Sequence, residues 1–403
     1  MKKSAILILI VASLGYFVDA YDLIVFAVIG KASLTELGFQ GAELDKMTLL
    51  LFDIQMIGLL LGGIFFGILG DKKGRLSVLF ISILMYSLCN VMNGFVSNIY
   101  LYGLLRFFAG VGLAGELGVG VTLVAETMPQ NIRGYGTSIL AATGVLGAVT
   151  AGLVGDYFYW RHAFFIGGGL GILLLFLRVG TFESEFFLHT KKEDVSRGSI
   201  GLLFKNSQNR KKYLLSLLVG IPVFFVVTIL MQLAPSLSKE LGIKGVVTTG
   251  KAVVFIYTGL AIGDMLCGFV SQKLKSRKKA IFIFQIASLI CTVIYLNLHE
   301  VSSTVFFTLC TVMGISTGYW IVMITMGAEQ FGTNIRATVA TTIPNFVRGA
   351  AVPISLLYTT VDSYLFHNII HAALFTGVVC FAIAIVANFY LPETFHKNLD
   401  YNE

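Results

Sequence analysis

The stretch Gly67-Ile-Leu-Gly-Asp71-Lys-Lys-Gly74-Arg75 decides how the chain is read. It follows an apolar run over 48–69 and precedes another over 77–96. Each run is about the 20 residues that a helix needs to cross a bilayer. A short polar turn between two such runs joins two membrane helices. Its glycines let the helix ends approach closely. Asp71 can accept from N–H groups at a neighbouring helix start, and Arg75 can pair with an acid. The stretch returns in altered form as Gly268-Phe-Val-Ser-Gln-Lys-Leu-Lys-Ser-Arg277-Lys, with Ser271 and Gln272 near the place of the Asp. A second repeat stands beside it: 125–134 read AETMPQNIRG and 328–337 read AEQFGTNIRA, identical at five of ten positions. Glu126 and Arg133 thus recur as Glu329 and Arg336.

Working outward, the chain breaks into twelve apolar segments: 5–29, 48–69, 77–96, 99–123, 134–156, 160–177, 213–236, 251–272, 279–298, 303–327, 337–358 and 368–391. Of its 403 residues 56% are hydrophobic and only 13% are charged, about half the charged share of a soluble domain. That balance excludes a disordered chain, a nucleic-acid-binding domain and an ordinary cytosolic enzyme. The Met-Lys-Lys start before Ala5–Leu14 imitates a signal peptide, but no small-residue cleavage site follows. It reads as an uncleaved first span. The polar stretch 178–212 divides 1–177 from 213–403, six spans each, and Ser199–Phe204 within it is expected to form a short interfacial helix. Of the 29 Lys and Arg, 21 fall on the side that holds both termini, which makes that side cytoplasmic and the +7 net charge a topology signal. Five cysteines scattered through the spans read as packing residues, and no metal or cofactor set is visible.

Two six-helix halves with parallel repeats describe an all-α membrane architecture of the major facilitator kind. The 67–75 stretch, set between spans two and three, resembles the signature of that superfamily, G-x-x-x-D-x-x-G-R. Leu391-Pro-Glu-Thr394 resembles the P-E-T ending of its sugar-porter-like members. Gly15-Tyr-Phe-Val-Asp19-Ala-Tyr-Asp22-Leu resembles the first span of phosphate:proton symporters and the D-G-F-D of aromatic-acid:proton symporters. Arg106-Phe-Phe-Ala-Gly-Val-Gly-Leu-Ala-Gly-Glu116 resembles span four of the phosphate group and the G-G-E of metabolite:proton symporters, which implies a proton-linked acid at Glu116. Span seven departs from the phosphate pattern, since neither Trp nor Asp occurs between Tyr213 and Ser236. Asn345-Phe-Val-Arg348-Gly-Ala-Ala-Val-Pro353 resembles organic-ion transporters, whose anion-handling members carry a basic residue at the place of Arg348. The resemblance implies a latch of Gly67, Asp71, Gly74 and Arg75 with Glu126 and Arg133, repeated with Glu329 and Arg336. Lacking the Asp, the second copy is expected to be the weaker.

A charge at the centre of a span costs roughly 2.5–3.5 kcal/mol on insertion scales, so each needs a partner or a task. Asp19 and Asp22 lie three residues apart with Tyr16 on the same helix face. Two such carboxylates do not both ionise easily when partly dehydrated, which suits a group that binds and releases protons. The alternative is a structural pair held by Tyr hydroxyls or neighbouring helices; Asp19 is slightly favoured as the carrier. Arg106 is expected to meet one of the two across the helix interface. Glu116 is either a proton carrier or a conformational salt bridge. Arg348 suits a carboxylate or phosphate, unless Asp264 pairs with it permanently. Tyr319, Trp320, Gln232 and Asn345 complete the expected substrate set with Asp264 and Tyr16. Asp53 is expected at a gate or in solvent. Gly58/Gly62 and the glycines of span four read as close packing, and Pro222, Pro344 and Pro353 as kinks. The expectation is a monomeric, proton-coupled importer of a small organic anion in a bacterial inner membrane, working by alternating access. A proton-driven exporter, or a symporter of phosphate, sugar or organic cations, stays open beside it.

Overall fold

Apolar length and local capping set the helices of the computed structural model, which describes residues 3–73, 75–116, 133–178, 206–331 and 333–395. The first six are α1 (Lys3–Glu36), α2 (Gly41–Lys73), α3 (Arg75–Asn93), α4 (Ile99–Leu113), α5 (Arg133–Tyr157) and α6 (Trp160–Arg178). Span seven, α7, is built of pieces: Ser207–Val219, Ile221–Phe225, a π-helical turn Val226–Met231 and Ala234–Glu240. Then come α8 (Thr249–Leu274) and α9 (Arg277–Leu296), followed by α10, formed by Ser303–Thr317 and Trp320–Glu329. Next is α11, formed by Thr333–Gly349, Ala351–Val361 and a π-helical turn Asp362–Phe366, and last is α12 (Ile369–Tyr390). Side chains begin many of them: Asn98, Asn206, Thr248, Ser276, Ser302 and Asn368 each accept a first-turn N–H. Among the described residues no strand occurs beyond one isolated bridge, Lys244 to Ser302.

The helices of the described residues group into the twelve above, and the chain forms two compact units, Met1–Gly198 and Ser199–Glu403. Eight helical stretches are long and apolar enough to cross a membrane, and two shorter ones, Phe80–Asn93 and Ile99–Leu113, are apolar as well. Ser199–Phe204 lies outside the described residues. All five cysteines are buried and free.

Both units contain the same seam. In the first, a Cβ on Gly58 would strike the Phe107 carbonyl, one on Gly62 the Val111 carbonyl, and one on Gly110 the Gln55 carbonyl. In the second, Gly259 meets the Thr311 carbonyl, Gly263 that of Ile315, and Gly314 that of Ile256. Glycine therefore brings α2 onto α4, and α8 onto α10, backbone to backbone.

The sequence reading of continuous spans is corrected in three places. Span four, expected continuous over 99–123, is interrupted by a turn at Ala114–Gly115, after which Glu116 is helical again and 117–123 lie outside the described residues. Span ten breaks at the corresponding point, at Gly318–Tyr319. There a Cβ on Gly318 would stand 2.5 Å from the Asp264 nitrogen. Span seven breaks at Gly220, just before Pro222. Each break frees backbone carbonyls, which in a membrane must find another donor within the protein or an ordered water. In a regular helix the Val223 N–H would serve Val219, but here it turns back to Gly220 (3.1 Å). Tyr319 Oη and Gln285 Nε2 both donate to the Val219 carbonyl instead, each at 3.3 Å. Further along, Tyr295 Oη donates to the Leu230 carbonyl in the π-helical turn (3.1 Å).

Candidate functional site

In the first unit, α1 buries Asp19 and Asp22 completely (0 and 1 % exposed), and α4 buries Arg106 (0 %). Gly110, seated on the Gln55 carbonyl, lies one turn after Arg106 on α4. That seam brings the Gln55 side chain to the guanidinium, and Arg106 Nη2 donates to Gln55 Oε1. The guanidinium also lies 4.9 Å from the centre of the Phe26 ring and 5.5 Å from that of Phe164. Cation–π attraction therefore holds it between α1 and α6.

Asp22 and Arg106 are near enough for their charges to interact, yet Arg106 closes no hydrogen bond to it. Both Asp22 oxygens are without a hydrogen-bond partner, as are Arg106 Nε and Nη1. Arg106, expected to meet Asp19 or Asp22 across the helix interface, lies within charge range of Asp22 while its hydrogen bond goes to Gln55. On the α6 side the wall beside Asp22 is a glycine: a Cβ on Gly167 would stand 2.5 Å from Asp22 Oδ1. On the α3 side the Asn90 amide approaches Asp22 without completing a hydrogen bond. Asn90 and Asn93 are both buried. In this unit the sequence reading weighed the ionised groups and Tyr16, and missed Gln55, Asn90, Asn93 and Gly167. An amide in the middle of an apolar span was the available signal. Glu116 is buried just past the Ala114–Gly115 turn, and Tyr16 is partly buried against Leu9, Ala12 and Leu140. Asp53, expected at a gate or in solvent, is buried (7 %).

In the second unit, Arg348 and Asn345 lie buried on α11, and Gln232 is buried after the π-helical turn of α7. Tyr319 is fully buried with its hydroxyl on the Val219 carbonyl, and Trp320 packs its ring 5.9 Å from Phe224. Asp264 accepts from the Ile321 N–H (3.2 Å), so it caps the helix that restarts at Trp320.

The second copy of the latch is assembled without an Asp. Arg277 Nη1 donates to Ser271 Oγ (3.2 Å), and Arg277 Nη2 pairs with Glu329 Oε1 (3.4 Å). Thr394 donates to the other Glu329 oxygen (2.6 Å). Glu393 accepts from Ser276 Oγ and from the Arg277 N–H (2.9 Å) at the start of α9. Burial works to raise the Glu393 carboxyl, but the Ser276 hydroxyl and the N–H groups of Arg277, Phe395 and Thr394 outweigh it and hold it below its ordinary value. Leu391–Thr394 thus fastens the end of α12 to both partners of the pair. In the first copy, Gly74 and Glu126 lie outside the described residues. The side chains of Asp71, Arg75 and Arg133, and that of Arg336 in the second copy, lie outside them too.

At the opposite end of the first unit, Glu36 accepts from Tyr159 (2.6 Å), Trp160 (2.7 Å) and Arg161 (3.1 Å). Arg161 also donates to the carbonyls of Gly94 and Val96, both at 3.0 Å. One acid and one base tie α1 and α6 to the end of α3.

A sequence model of the Major Facilitator Superfamily matches residues 12–355. A protein of Haemophilus influenzae named for metabolite transport is 30% identical over 417 residues, 97% of each chain. The sialic acid transporter NanX of Escherichia coli is 25% identical, over 96% of this chain and 94% of its own. The benzoate transport protein of Acinetobacter baylyi is 23% identical, over 82% of this chain and 78% of its own. The crystal structure of a D-xylose-proton symporter shares the fold with a TM-score of 0.75 at 16% identity, covering 97% of this chain and 99% of that one.

Proposed function

The chain belongs to the Major Facilitator Superfamily, a multi-pass membrane transporter of small molecules and not an enzyme; on that premise we propose that it takes up a small organic acid together with protons. The observation that carries the proton half is Asp22, a fully buried carboxylate with no hydrogen bond to either oxygen. A buried ionised carboxylate in that state is costly. Taking a proton relieves the cost, and releasing it to a less acidic interior restores the charge. Asp22 rather than Asp19 is therefore the favoured carrier, with Arg106 setting its field. Glu116 remains a second candidate on the same unit.

The anion half is supported by Arg348, a buried planar cation on α11 with Asn345 one turn before it. Relatives named for sialic acid and benzoate point to carboxylates. In the latch, Gly67 and Gly74 let the cytoplasmic helix ends approach, and Asp71, Arg75, Glu126, Arg133, Glu329 and Arg336 hold those ends and release them as the transporter alternates its access. The asymmetry of Lys and Arg supports cytoplasmic termini, the bacterial relatives support a bacterial inner membrane, and the working unit is a single chain.

The test is uptake into proteoliposomes of labelled N-acetylneuraminate and benzoate under an imposed pH gradient. Uptake of one of them is expected with alkalinisation outside, lost in Asp22→Asn and with its half-saturation raised tenfold or more in Arg348→Lys. Uptake indifferent to the gradient and to Asp22→Asn sinks the coupling. Transport of D-xylose but of neither acid sinks the anion reading.

A further inference from the structure

We propose that Gln55 is a positioning residue of the coupling site: its carboxamide oxygen is a neutral seat that holds Arg106 off Asp22 until Asp22 ionises. This rests on the reading of Asp22 as the proton carrier.

The two units supply an internal control. Gly110 sits on the Gln55 carbonyl just as Gly314 sits on the Ile256 carbonyl. One turn before Gly314, at the place of Arg106, unit two carries Cys310. Ile256 and Cys310 are both buried (1 and 0 %). The seam therefore forms with an apolar pair at these two places, and packing does not call for the Gln55–Arg106 hydrogen bond. Burying a guanidinium and an amide is costly, and the repeat shows that the cost is avoidable. A task beyond packing accounts for them.

The arrangement sets the task. Arg106 has one nitrogen on Gln55 while Nε and Nη1 are unpartnered, and both Asp22 oxygens are unpartnered close by. The other ionisable groups around the guanidinium are Asp19 beside Asp22 on α1, Cys89 on α3 and Tyr102 on α4. Asp53 is two residues before Gln55 on α2, on the far side of that helix. On the α6 side stand Phe164 against the guanidinium and Gly167 against Asp22. Asp22 is thus the anion to which Arg106 can turn. A hydrogen bond from Arg to a neutral amide is weaker than one to a carboxylate. Arg106 leaves Gln55 when Asp22 is ionised and returns when Asp22 is protonated. A glutamate at 55 would hold Arg106 in both states. An apolar residue would leave it on Asp22 in both.

The experiment follows the C=O stretch of protonated carboxyl groups by infrared spectroscopy while pH is titrated over the full chain in lipid. The Asp22 band is the difference between the unaltered protein and Asp22→Asn. Gln55→Ile, which copies the residue of the second unit, is expected to move the midpoint of that band about one pH unit or more toward acid, because a permanent guanidinium neighbour favours the carboxylate. Gln55→Glu is expected to move it toward alkali. Midpoints that stay in place, or that shift with the same sign, overturn the role of Gln55. If Gln55→Ile does not fold, an unmoved midpoint in Gln55→Glu alone overturns it. The absence of any Asp22 band in the unaltered protein overturns the proton reading itself, a separate outcome.

Discussion

The Val219 carbonyl gives a prediction that can be worked through from distances. Two donors serve it, Tyr319 Oη and Gln285 Nε2, each at 3.3 Å. Both distances are at the long end of hydrogen-bond geometry, so each bond alone is weak. Tyr319→Phe removes one and leaves the other, at a cost of about 0.5–1 kcal/mol. Gln285→Met also removes one, but it takes away Gln285 Oε1, a buried acceptor without a partner. That variant is expected to lie within about 0.5 kcal/mol of the unaltered protein. The double variant leaves a carbonyl orphaned at membrane depth, which costs about 1–3 kcal/mol beyond the sum of the singles. The assay is equilibrium unfolding in mixed micelles, run as a double-mutant cycle. Additivity within about 0.5 kcal/mol would refute the reasoning, because it would mean that another donor serves Val219.

Gly62→Val places a side chain against the Val111 backbone, where a Cβ alone would be 2.7 Å from Cα. A loss of about 1–3 kcal/mol or more is expected, read as a lower thermal midpoint and less monodisperse protein; an unchanged midpoint refutes the seam. For Glu393, the folded carboxyl is held below the ordinary value of 4.5. Its contribution is therefore present above pH 4.5 and lost as pH falls through the folded value. The thermal midpoint of the unaltered protein should exceed that of Glu393→Gln at pH 7, with the gap closing below pH 4.5; a gap that widens toward acid refutes the assignment.

The spans were legible because lipid imposes a crude length rule, and the closeness of Arg277 to Glu329 because charges repeat at matched places in the two halves. The breaks in α4, α7 and α10 were only partly legible. Pro222 announces one, but no proline marks the turn at Ala114–Gly115 or the break at Gly318. Ionised residues drew attention because their cost in lipid is large, and Asp19, Asp22 and Arg106 were found that way. Gln55 was passed over although the amides Gln232 and Asn345 were weighed. Its meaning comes from Gly110, which brings its backbone against α4. Tyr319, read as a residue for substrate, has its hydroxyl on a backbone carbonyl of α7. Thr394 was visible only as part of a familiar ending, and its bond to Glu329 needed the fold.

The glycine seams have a mechanical consequence. Gly58 and Gly62 are four residues apart, as are Gly259 and Gly263, so the next register along α4 or α10 that would admit both backbones lies about 6 Å away. Between those registers a side chain meets a carbonyl, and no small displacement is free. Each seam therefore behaves as a ratchet with coarse teeth, stiff against sliding over the fractions of an ångström that thermal motion supplies. Compliance within the second unit is left to the interrupted helices. There the Tyr319–Val219 bond links the bend of α7 to the restart of α10.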